Sequence, residues 1–438
     1  MDLKINPISN GLHGEITAPG SKSYSHRAFI AASLADGISI IKNPLTDGDV
    51  KITMNLLKSL GIKILERSDN TFIVKREKNS FSSIKKPLDC GNSGTTLRIF
   101  SSLSLLIKGG LTLTGEFLKL KRPILPLLRA LEQVGGKYNL SDEKLKIKRK
   151  KILCNKIKIS ENLSSQFISA LLITCPLLKC KIKDYIEIEI PTPILSKPFV
   201  EITLDVLERF GINIQAYLEI GRFYITSEQN YRSQSFKIPG DFSSAAMILG
   251  AAVLSKDPSS VIINNLNINN SQGDKKIIEI LKSMGADIKI DENKDQVIVN
   301  GSLESNPLKG MKIDCKDIPD LFPILSVIGA FAKGETVLYN ASHLRHKETD
   351  RIRAMARELN KMGVKVIEED DKLTIFQSEK ISGTTINHDN DHRIAMACSI
   401  AALHANSSSQ IQNIDIVKDS YPSFLDDLKM LGIQIEQN

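Results

Sequence analysis

Apolar and polar positions alternate along this chain in two kinds of run that take turns. The first is a short phrase that occurs six times: LKSLGIKI ending at Ile64, LEQVGGKY at Tyr138, LERFGINI at Ile214, LKSMGADI at Ile288, LNKMGVKV at Val366 and LKMLGIQI at Ile435. Apolar residues at helical spacing stop at a glycine and resume at alternate positions, which predicts the last turn of an amphipathic helix, a left-handed C-cap and a strand. The capping residues are Gly61, Gly135, Gly211, Gly285, Gly363 and Gly432.

The second kind interleaves with the first. Strand-like pieces (GEITAP, KPLDC, KIKIS, FKIP, MKID, TTIN) each lead through a polar loop into a helix of small apolar residues, and a further strand follows. The six predicted buried helices are YSHRAFIAASLA, TTLRIFSSLSLL, SQFISALLITC, SSAAMILGAAVL, PDLFPILSVIGAF and HRIAMACSIAAL. One unit is therefore strand, buried helix, strand, surface helix, strand pair, repeating every 70 to 78 residues or so. The sixth unit stops short of its trailing strands, while the first 18 residues, with DLKI and GEITA, belong to no complete unit. The expectation is a mixed α/β chain of two lobes with three units each. One lobe spans 21–238; the other spans 239–438, with 1–20 completing the last repeat.

If the units are alike, the buried helices expose their N-terminal N–H groups and positive dipole ends in similar places, and such ends attract anions. The residues at those starts are Ser21, Lys22, Ser23 and Arg27; Asn92, Ser93, Gly94, Thr95 and Arg98; Ser164, Ser165 and Gln166; Asp241, Ser243 and Ser244; Asp317 and Asp320; Asp391, His392 and Arg393. Ser, Asn, Asp and Thr are ordinary N-caps. Capping explains none of Lys22, Arg27, Arg98 and Arg393, because a cation in a first turn opposes the helix dipole. A bound anion relieves that conflict. Lys347 and Arg351, four apart in HLRHKETDRIRAMA, pose the same problem if both are helical, with Glu348 and Asp350 as local compensation.

Other chemistries fit less well. GSKS lacks the earlier glycine of a P-loop, and Asn and Asp between His388 and His392 suit a cap rather than a helical zinc pair. No CxxC pair occurs among Cys90, Cys154, Cys175, Cys180, Cys315 and Cys398, so metal is not expected and all six are expected as free thiols. The longest apolar run, LFPILSVIGAFA, is too short for a membrane span, and MDLKINPISNGLHGEI has no signal-peptide core, so a cytoplasmic protein is expected. The net charge of +8 is spread along the chain, and there is no Trp for base stacking, which argues against a nucleic-acid partner.

PGSKSYSHRA, LDCGNSGTTLR, the arginine of KRP, SSQ at 164 to 166, SKPF at 196 to 199, PGDFSSA, IPD, HKETDRIRAMA and NDHRIAMA resemble, in order and across essentially the whole chain, the EPSP synthase (3-phosphoshikimate 1-carboxyvinyltransferase) family. The resemblance implies the enolpyruvyl transferase fold, two lobes of three βαβαββ units with the active site in the cleft between them. It implies transfer of the enolpyruvyl group of phosphoenolpyruvate to the 5-hydroxyl of shikimate 3-phosphate, the sixth step of the shikimate pathway towards aromatic amino acids. No cofactor and no metal is implied, and the expected protein is a monomer whose partners are its two small-molecule substrates. The resemblance further implies that glyphosate occupies the phosphoenolpyruvate site.

Carried over residue by residue, Lys22, Ser23, Arg27, Ser164, Ser165, Gln166, Ser196, Asp320, His343 and Lys347 are the implied shikimate 3-phosphate ligands. Lys22, Asn92, Gly94, Thr95, Arg122, Gln166, Arg351, His392 and Arg393 are implied for phosphoenolpyruvate. Asp320 is the implied base, with Glu348 and Lys22 as proton carriers. Three positions depart from the pattern: Phe199 replaces a tyrosine of many members, His343 an asparagine of some, and Asp419, beside Lys418, a lysine of some. The alternative is UDP-N-acetylglucosamine 1-carboxyvinyltransferase, whose family has asparagine after its lysine and a cysteine in the mobile loop. Here Ser23 follows Lys22, and TGEFLKLKRP holds no cysteine.

Overall fold

The computed structural model of the chain describes residues 1–8, 10–67, 69–76, 81–153, 156–161, 163–180 and 185–437. It separates into two compact units: Met1–Pro19 with Pro239–Asn438, and Gly20–Ile238. Each unit has its own apolar core, and among the described residues each core is built from its own unit.

Six buried helices form from the small-residue runs: α1 (Lys22–Leu34), α2 (Gly94–Leu103), α3 (Ser165–Thr174), α4 (Phe242–Val253), α5 (Phe322–Phe331) and α6 (His392–Leu403). Every residue of α4 and of α6 is buried, which is why neither shows an amphipathic stripe. Small side chains let such helices approach closely. At Gly250 in α4 an added Cβ would lie 2.7 Å from Ile324 Cδ1 of α5. The six capping glycines all have positive φ, from 81° at Gly211 to 114° at Gly285.

The described strands make six four-stranded sheets of one design. Leu88–Asp89 runs parallel to Leu111–Thr114, which pairs antiparallel with Lys144–Arg149, and that strand pairs in turn with Gly136–Leu140. The register places Leu111 opposite Ile147 and Leu113 opposite Leu145, and all four are buried, so alternation turns one face of the sheet onto the helices. Four of the six leading strands pair with the strand that follows them in sequence.

The other two are exchanged. His13–Thr17, which precedes α1, lies parallel to Ser259–Asn264, while Ser235–Lys237, which precedes α4, lies parallel to Ile38–Lys42. Leu3–Ile5 runs between Ser409–Ile411 and Ile435–Gln437 in the sixth sheet. So of the two N-terminal strands one belongs to the sixth sheet and the other to the fourth. A leading strand joins its sheet by one parallel edge, and a period-2 pattern does not say which edge that is.

The expectation of six free thiols is corrected at Cys180, which is disulfide-bonded. Cys154 lies outside the described residues. Cys90, Cys175, Cys315 and Cys398 are free and buried. Burial pushes the Cys175 thiol up to about 12, so it stays protonated and unreactive.

Candidate functional site

In the Gly20–Ile238 unit, the starts of α1, α2 and α3 carry the polar residues. Ser21 occupies the N-cap of α1, yet its hydroxyl makes no capping bond. Its carbonyl accepts from Ser25 Oγ at 2.8 Å, and Ser25 Oγ accepts from Leu45 N at 2.9 Å, so the serine that ties the loop down is Ser25. Lys22 opens the helix, with Nζ 3.9 Å from Asp49 Oδ2. Arg27 is buried and gives Nε to Thr203 Oγ1 at 2.7 Å, Nη1 to the Ser23 carbonyl at 2.8 Å, and Nη2 to Ser169 Oγ and the Phe199 carbonyl at 3.2 Å each. Burial brings its guanidinium down to about 10. A guanidinium has five N–H donors, and these bonds use four of them.

The α2 start is the most crowded. Ser93 caps it, accepting from Thr96 N at 3.3 Å. Arg98 Nη1 donates to Gln166 Oε1 at 2.5 Å, and Gln166 Nε2 donates to Thr95 Oγ1 at 3.0 Å. Arg122 Nη1 donates to the Asn92 carbonyl at 2.7 Å and to Asn92 Oδ1 at 3.0 Å. Both guanidinium groups lie over the Phe117 ring, 5.0 Å and 4.9 Å from its centroid. A Cβ on Gly94 would meet Arg98 Nη1 at 3.1 Å, Gln166 Oε1 at 3.3 Å and Arg122 Nη2 at 3.4 Å, so a bare backbone there lies within reach of two cations and an amide.

Behind these starts runs a buried hydroxyl chain: His26 Nδ1 to Thr53 Oγ1 at 2.8 Å, Thr53 to Thr96 Oγ1 at 2.7 Å, and Thr96 to Ser93 Oγ at 2.8 Å. It joins the second turn of α1 to the cap of α2. Burial, with Lys22 and Arg27 nearby, holds His26 well below the usual imidazole range. Ser164 caps α3, accepting from Gln166 N at 3.3 Å. Ser196 sits buried in the left-handed region, φ 55°, at the start of Lys197–Arg209.

In the other unit the centre is Arg351, 1% exposed. It donates Nη1 to Asp320 Oδ1 at 2.7 Å, Nη2 to Glu348 Oε2 at 3.0 Å and Nε to Asp391 Oδ2 at 2.8 Å. Burial lowers its basicity, but the Asp391, Asp320 and Glu348 carboxylates outweigh that and hold it above the usual guanidinium range. Asp391 caps α6, accepting from Arg393 N at 2.8 Å. Arg393, also 1% exposed, has Nη2 3.7 Å from Asp320 Oδ2 and 4.0 Å from Asp241 Oδ1. Its Nε and Nη1 are buried with no hydrogen-bond partner among the described residues.

Asp320 is not a helix cap. Leu321 holds that position on α5, and the Asp320 carboxylate turns to the two arginines. Nor do Lys347 and Arg351 share a helix: Lys347 follows the 3-10 turn Ser342–His346, and Asp350 caps Arg351–Lys361 by accepting from Arg353 N at 3.1 Å. His343 is buried with neither ring nitrogen hydrogen-bonded among the described residues, and burial with Lys347 and Arg351 nearby brings it down to about 3. His388 lies in the loop before α6 and pairs with the Gln412 carbonyl, so it shares no helix face with His392. Lys418 pairs with Asp415 at 2.6 Å. Among the described residues, no three His, Cys, Asp or Glu side chains gather as a metal set.

Thus Asn92, Gly94, Thr95, Arg122 and Gln166 meet at one helix start, and Asp320, Glu348, Arg351 and Arg393 meet in the other unit. Asp49, Arg98 and Asp391 join them without having been in the expected ligand set. Arg98 was signalled as a cation close to a helix start, at the fifth position of α2, whereas Asp49 lies on an outer helix, 27 residues from Lys22, with no local mark.

A profile described as EPSP synthase (3-phosphoshikimate 1-carboxyvinyltransferase) matches residues 7–428. The chain is 42% identical to a 3-phosphoshikimate 1-carboxyvinyltransferase of Methanocaldococcus jannaschii over all of both chains. It is 40% identical to the enzyme of that name from Methanococcus vannielii over 97% of each. Among solved structures, EPSP synthase from Acinetobacter baumannii superposes with a TM-score of 0.81 at 25% identity over 99% of each chain. The enolpyruvyl transferase NikO from Streptomyces tendae superposes with a TM-score of 0.78 at 18% identity, over 100% of this chain and 99% of that one, a likeness of fold.

Proposed function

Since the chain belongs to the EPSP synthase (3-phosphoshikimate 1-carboxyvinyltransferase) family, we propose that the polar helix starts of its two units hold the two anionic substrates of that reaction. The enzyme transfers the enolpyruvyl group of phosphoenolpyruvate to the 5-hydroxyl of shikimate 3-phosphate and releases phosphate by addition and elimination. The observation that carries the site reading is Arg393: a buried guanidinium with Nε and Nη1 unpartnered costs free energy unless an anion takes them. Phosphoenolpyruvate, with a carboxylate and a phosphate, supplies that anion. Lys22, Gly94, Arg122, Gln166, Arg351 and His392 complete its side, with Asn92 and Thr95 behind.

Shikimate 3-phosphate falls to Ser23, Arg27, Ser164, Ser165, Gln166, Ser196, Asp320, His343 and Lys347, with Lys22 between the two ligands. Arg27 has one Nη1 hydrogen left for it, and the neutral His343 ring offers one donor and one acceptor where some relatives have an amide. Asp320 takes the 5-hydroxyl proton. Its charge is already shared by Arg351 and Arg393, so the proton is passed on, with Glu348 and Lys22 as carriers to and from the methylene carbon. The nucleotide-sugar alternative is not favoured by relatives that share the 3-phosphoshikimate name along the whole chain. No helix among the described residues is long and apolar enough to cross a membrane, and the reading keeps a cytoplasmic monomer.

The test is phosphate release from phosphoenolpyruvate, expected to require shikimate 3-phosphate and to ignore UDP-N-acetylglucosamine. Arg393→Lys is expected to raise KM for phosphoenolpyruvate at least tenfold, the loss of one good charge-assisted bond. An unchanged KM would remove Arg393 from the site.

A further inference from the structure

The helix Gly48–Ser59 meets both α1 and α2, and it does so through polar groups set one turn apart. Its Asp49 and Thr53 share one face and oppose Lys22 and His26, which share a face of α1. The outer rung is the pair of charges, Lys22 Nζ to Asp49 Oδ2 at 3.9 Å. The inner rung is uncharged: His26 Nδ1 lies 2.8 Å from Thr53 Oγ1, and Thr53 Oγ1 lies 2.7 Å from Thr96 Oγ1 of α2. Thr96 Oγ1 in turn reaches Ser93 Oγ at 2.8 Å and the Asp49 carbonyl at 3.5 Å. His26, Thr53, Thr96 and Ser93 are all buried. None of the four is among the substrate ligands, so the reaction as derived above gives the chain no task.

The chain has a direction. His26 Nε2 is buried with no hydrogen-bond partner among the described residues. A proton there would be an orphaned donor, whereas a bare lone pair costs less, so the proton sits on Nδ1 and is donated to Thr53. A second proton would place an imidazolium close to Lys22 and Arg27, and burial beside those charges keeps the ring neutral. Each hydroxyl that accepts passes its own hydrogen on, from Thr53 to Thr96 and from Thr96 to Ser93. Ser93 Oγ then takes two hydrogen bonds from one residue, the Thr96 hydroxyl and the Thr96 N–H at 3.3 Å. The residue so clamped is the cap directly before Gly94. Arg27, next to His26, is anchored elsewhere, on Thr203, Ser169 and the Phe199 carbonyl.

We propose that His26 is a positioning residue for the phosphoenolpyruvate side of the site: through Thr53 it keeps Asp49 opposite Lys22, and through Thr96 it holds the cap that sets Gly94 against Arg98, Arg122 and Gln166. The inference rests on the reading of Lys22, Gly94 and Arg122 as phosphoenolpyruvate ligands. An anion that draws on Lys22 loosens the outer rung, because the same ammonium serves both. The inner rung has no charge to lose, so it keeps α1 and α2 in register while the ligand binds.

The experiment is KM for phosphoenolpyruvate at saturating shikimate 3-phosphate, with the calorimetric Kd of shikimate 3-phosphate beside it. The proteins are the wild type, His26→Ala, His26→Asn, Thr53→Val and the double variant of His26→Ala with Thr53→Val. Each of His26→Ala and Thr53→Val is expected to raise KM about tenfold, the loss of one buried hydrogen bond with a partner left unsatisfied. Kd is expected to change by less than about twofold, since Arg27 keeps its own anchors. One chain cut twice is cut once, so the double variant is expected to match the single ones. His26→Asn places an amide N–H where Nδ1 was and is expected to bring KM back to within about threefold of the wild type. A loss of packing alone lowers the yield of folded enzyme, does not single out one substrate and is not rescued by asparagine. An unchanged KM in both single variants, a double variant raised by the product of the two, or equal KM values for alanine and asparagine at position 26 overturns the proposal. So does nitrogen NMR of the wild type that finds the His26 proton on Nε2, a reading that needs no variant to fold. Arg122→Lys separates the two levels. A raised KM there with an unchanged His26 series removes this inference alone, whereas an unchanged KM there removes the ligand placement beneath it.

Discussion

A methyl group at position 94 would press on three polar groups at once, with contacts of 3.1 to 3.4 Å to Arg98, Gln166 and Arg122. Each is the far end of a long side chain, so the site gives by a few tenths of an ångström and the helix survives. A ligand longer than phosphoenolpyruvate has less room for that shift. Gly94→Ala is therefore expected to weaken competitive inhibition by glyphosate by about tenfold, matching an overpacking cost of 1–3 kcal/mol, while KM for phosphoenolpyruvate rises less. Inhibition curves at matched donor saturation check it, and equal losses for both ligands would take Gly94 out of the donor site. Lys22 stands apart: it sits half-buried at the first position of α1, 3.9 Å from Asp49. Lys22→Met is expected to abolish turnover while calorimetry still finds shikimate 3-phosphate bound through Ser23, Arg27 and the 164 to 166 loop. At this scale Lys22 and Arg393 were legible in the sequence, because each sits in a first turn where the dipole opposes it, whereas Arg27 and Arg98 lie one turn further in, at the sixth and fifth helical positions. Their partners were not, since Arg27 reaches Thr203 and Arg98 reaches Gln166 only through the fold.

The loop that delivers α6 is held from a neighbouring helix. Glu358, fully buried on Arg351–Lys361, accepts from Arg357 Nε, Lys361 Nζ and Asn387 N, while Arg357 also binds Asp389 at 2.7 Å and the Asn387 carbonyl at 2.6 Å. Asp389 and Asn390, in this loop, both have positive φ. Glu358→Ala leaves the Asn387 N–H without its acceptor and takes one partner each from Arg357 and Lys361, and is expected to cost about 2 kcal/mol. Thermal unfolding measures that loss, and faster hydrogen exchange over 385–393 than in the wild type places it at the start of α6. Unchanged exchange there would make the cluster a surface ornament. The sequence places Ile352, Met355 and Leu359 at helical spacing along Arg351–Lys361, with Met362 at its C-cap, and all four are buried. It did not mark Glu358 as buried, because a glutamate among arginines in a helix reads as a solvated face until its neighbours are known. The exchanged strands show the same limit, since GEIT and SFK announce strands without naming the sheets they join.

Over the whole molecule, three buried histidines set the response to acid. Burial brings His404 down to about 4 and His343 to about 3, and holds His26 well below the usual range. The unfolded chain takes up these protons near pH 6.5 and the folded one does not, so the stabilisation is complete above pH 6.5 and is lost as pH falls towards 4. Asp274, raised to about 7, acts in the opposite sense from pH 4 upward. Burial raises the Asp427 carboxyl as well, so three groups against two leave a net slope of about 1 kcal/mol per pH unit at most between pH 6 and pH 4.5. Melting temperatures across that range are expected to fall steadily, and a flat profile would show these histidines protonated in place. What the sequence determined by itself was the repeated unit, its six capped surface helices, its six buried ones and the cations at their starts. Those are local consequences of periodicity, glycine geometry and the helix dipole, and each is written within a dozen residues. What only the tertiary structure decided was which strand completes which sheet, that Cys180 is bonded, and that Asp241, Asp320, Arg351 and Arg393 converge. A carboxylate shared by two buried guanidinium groups exists only once residues from separate stretches meet, and no local pattern records that meeting.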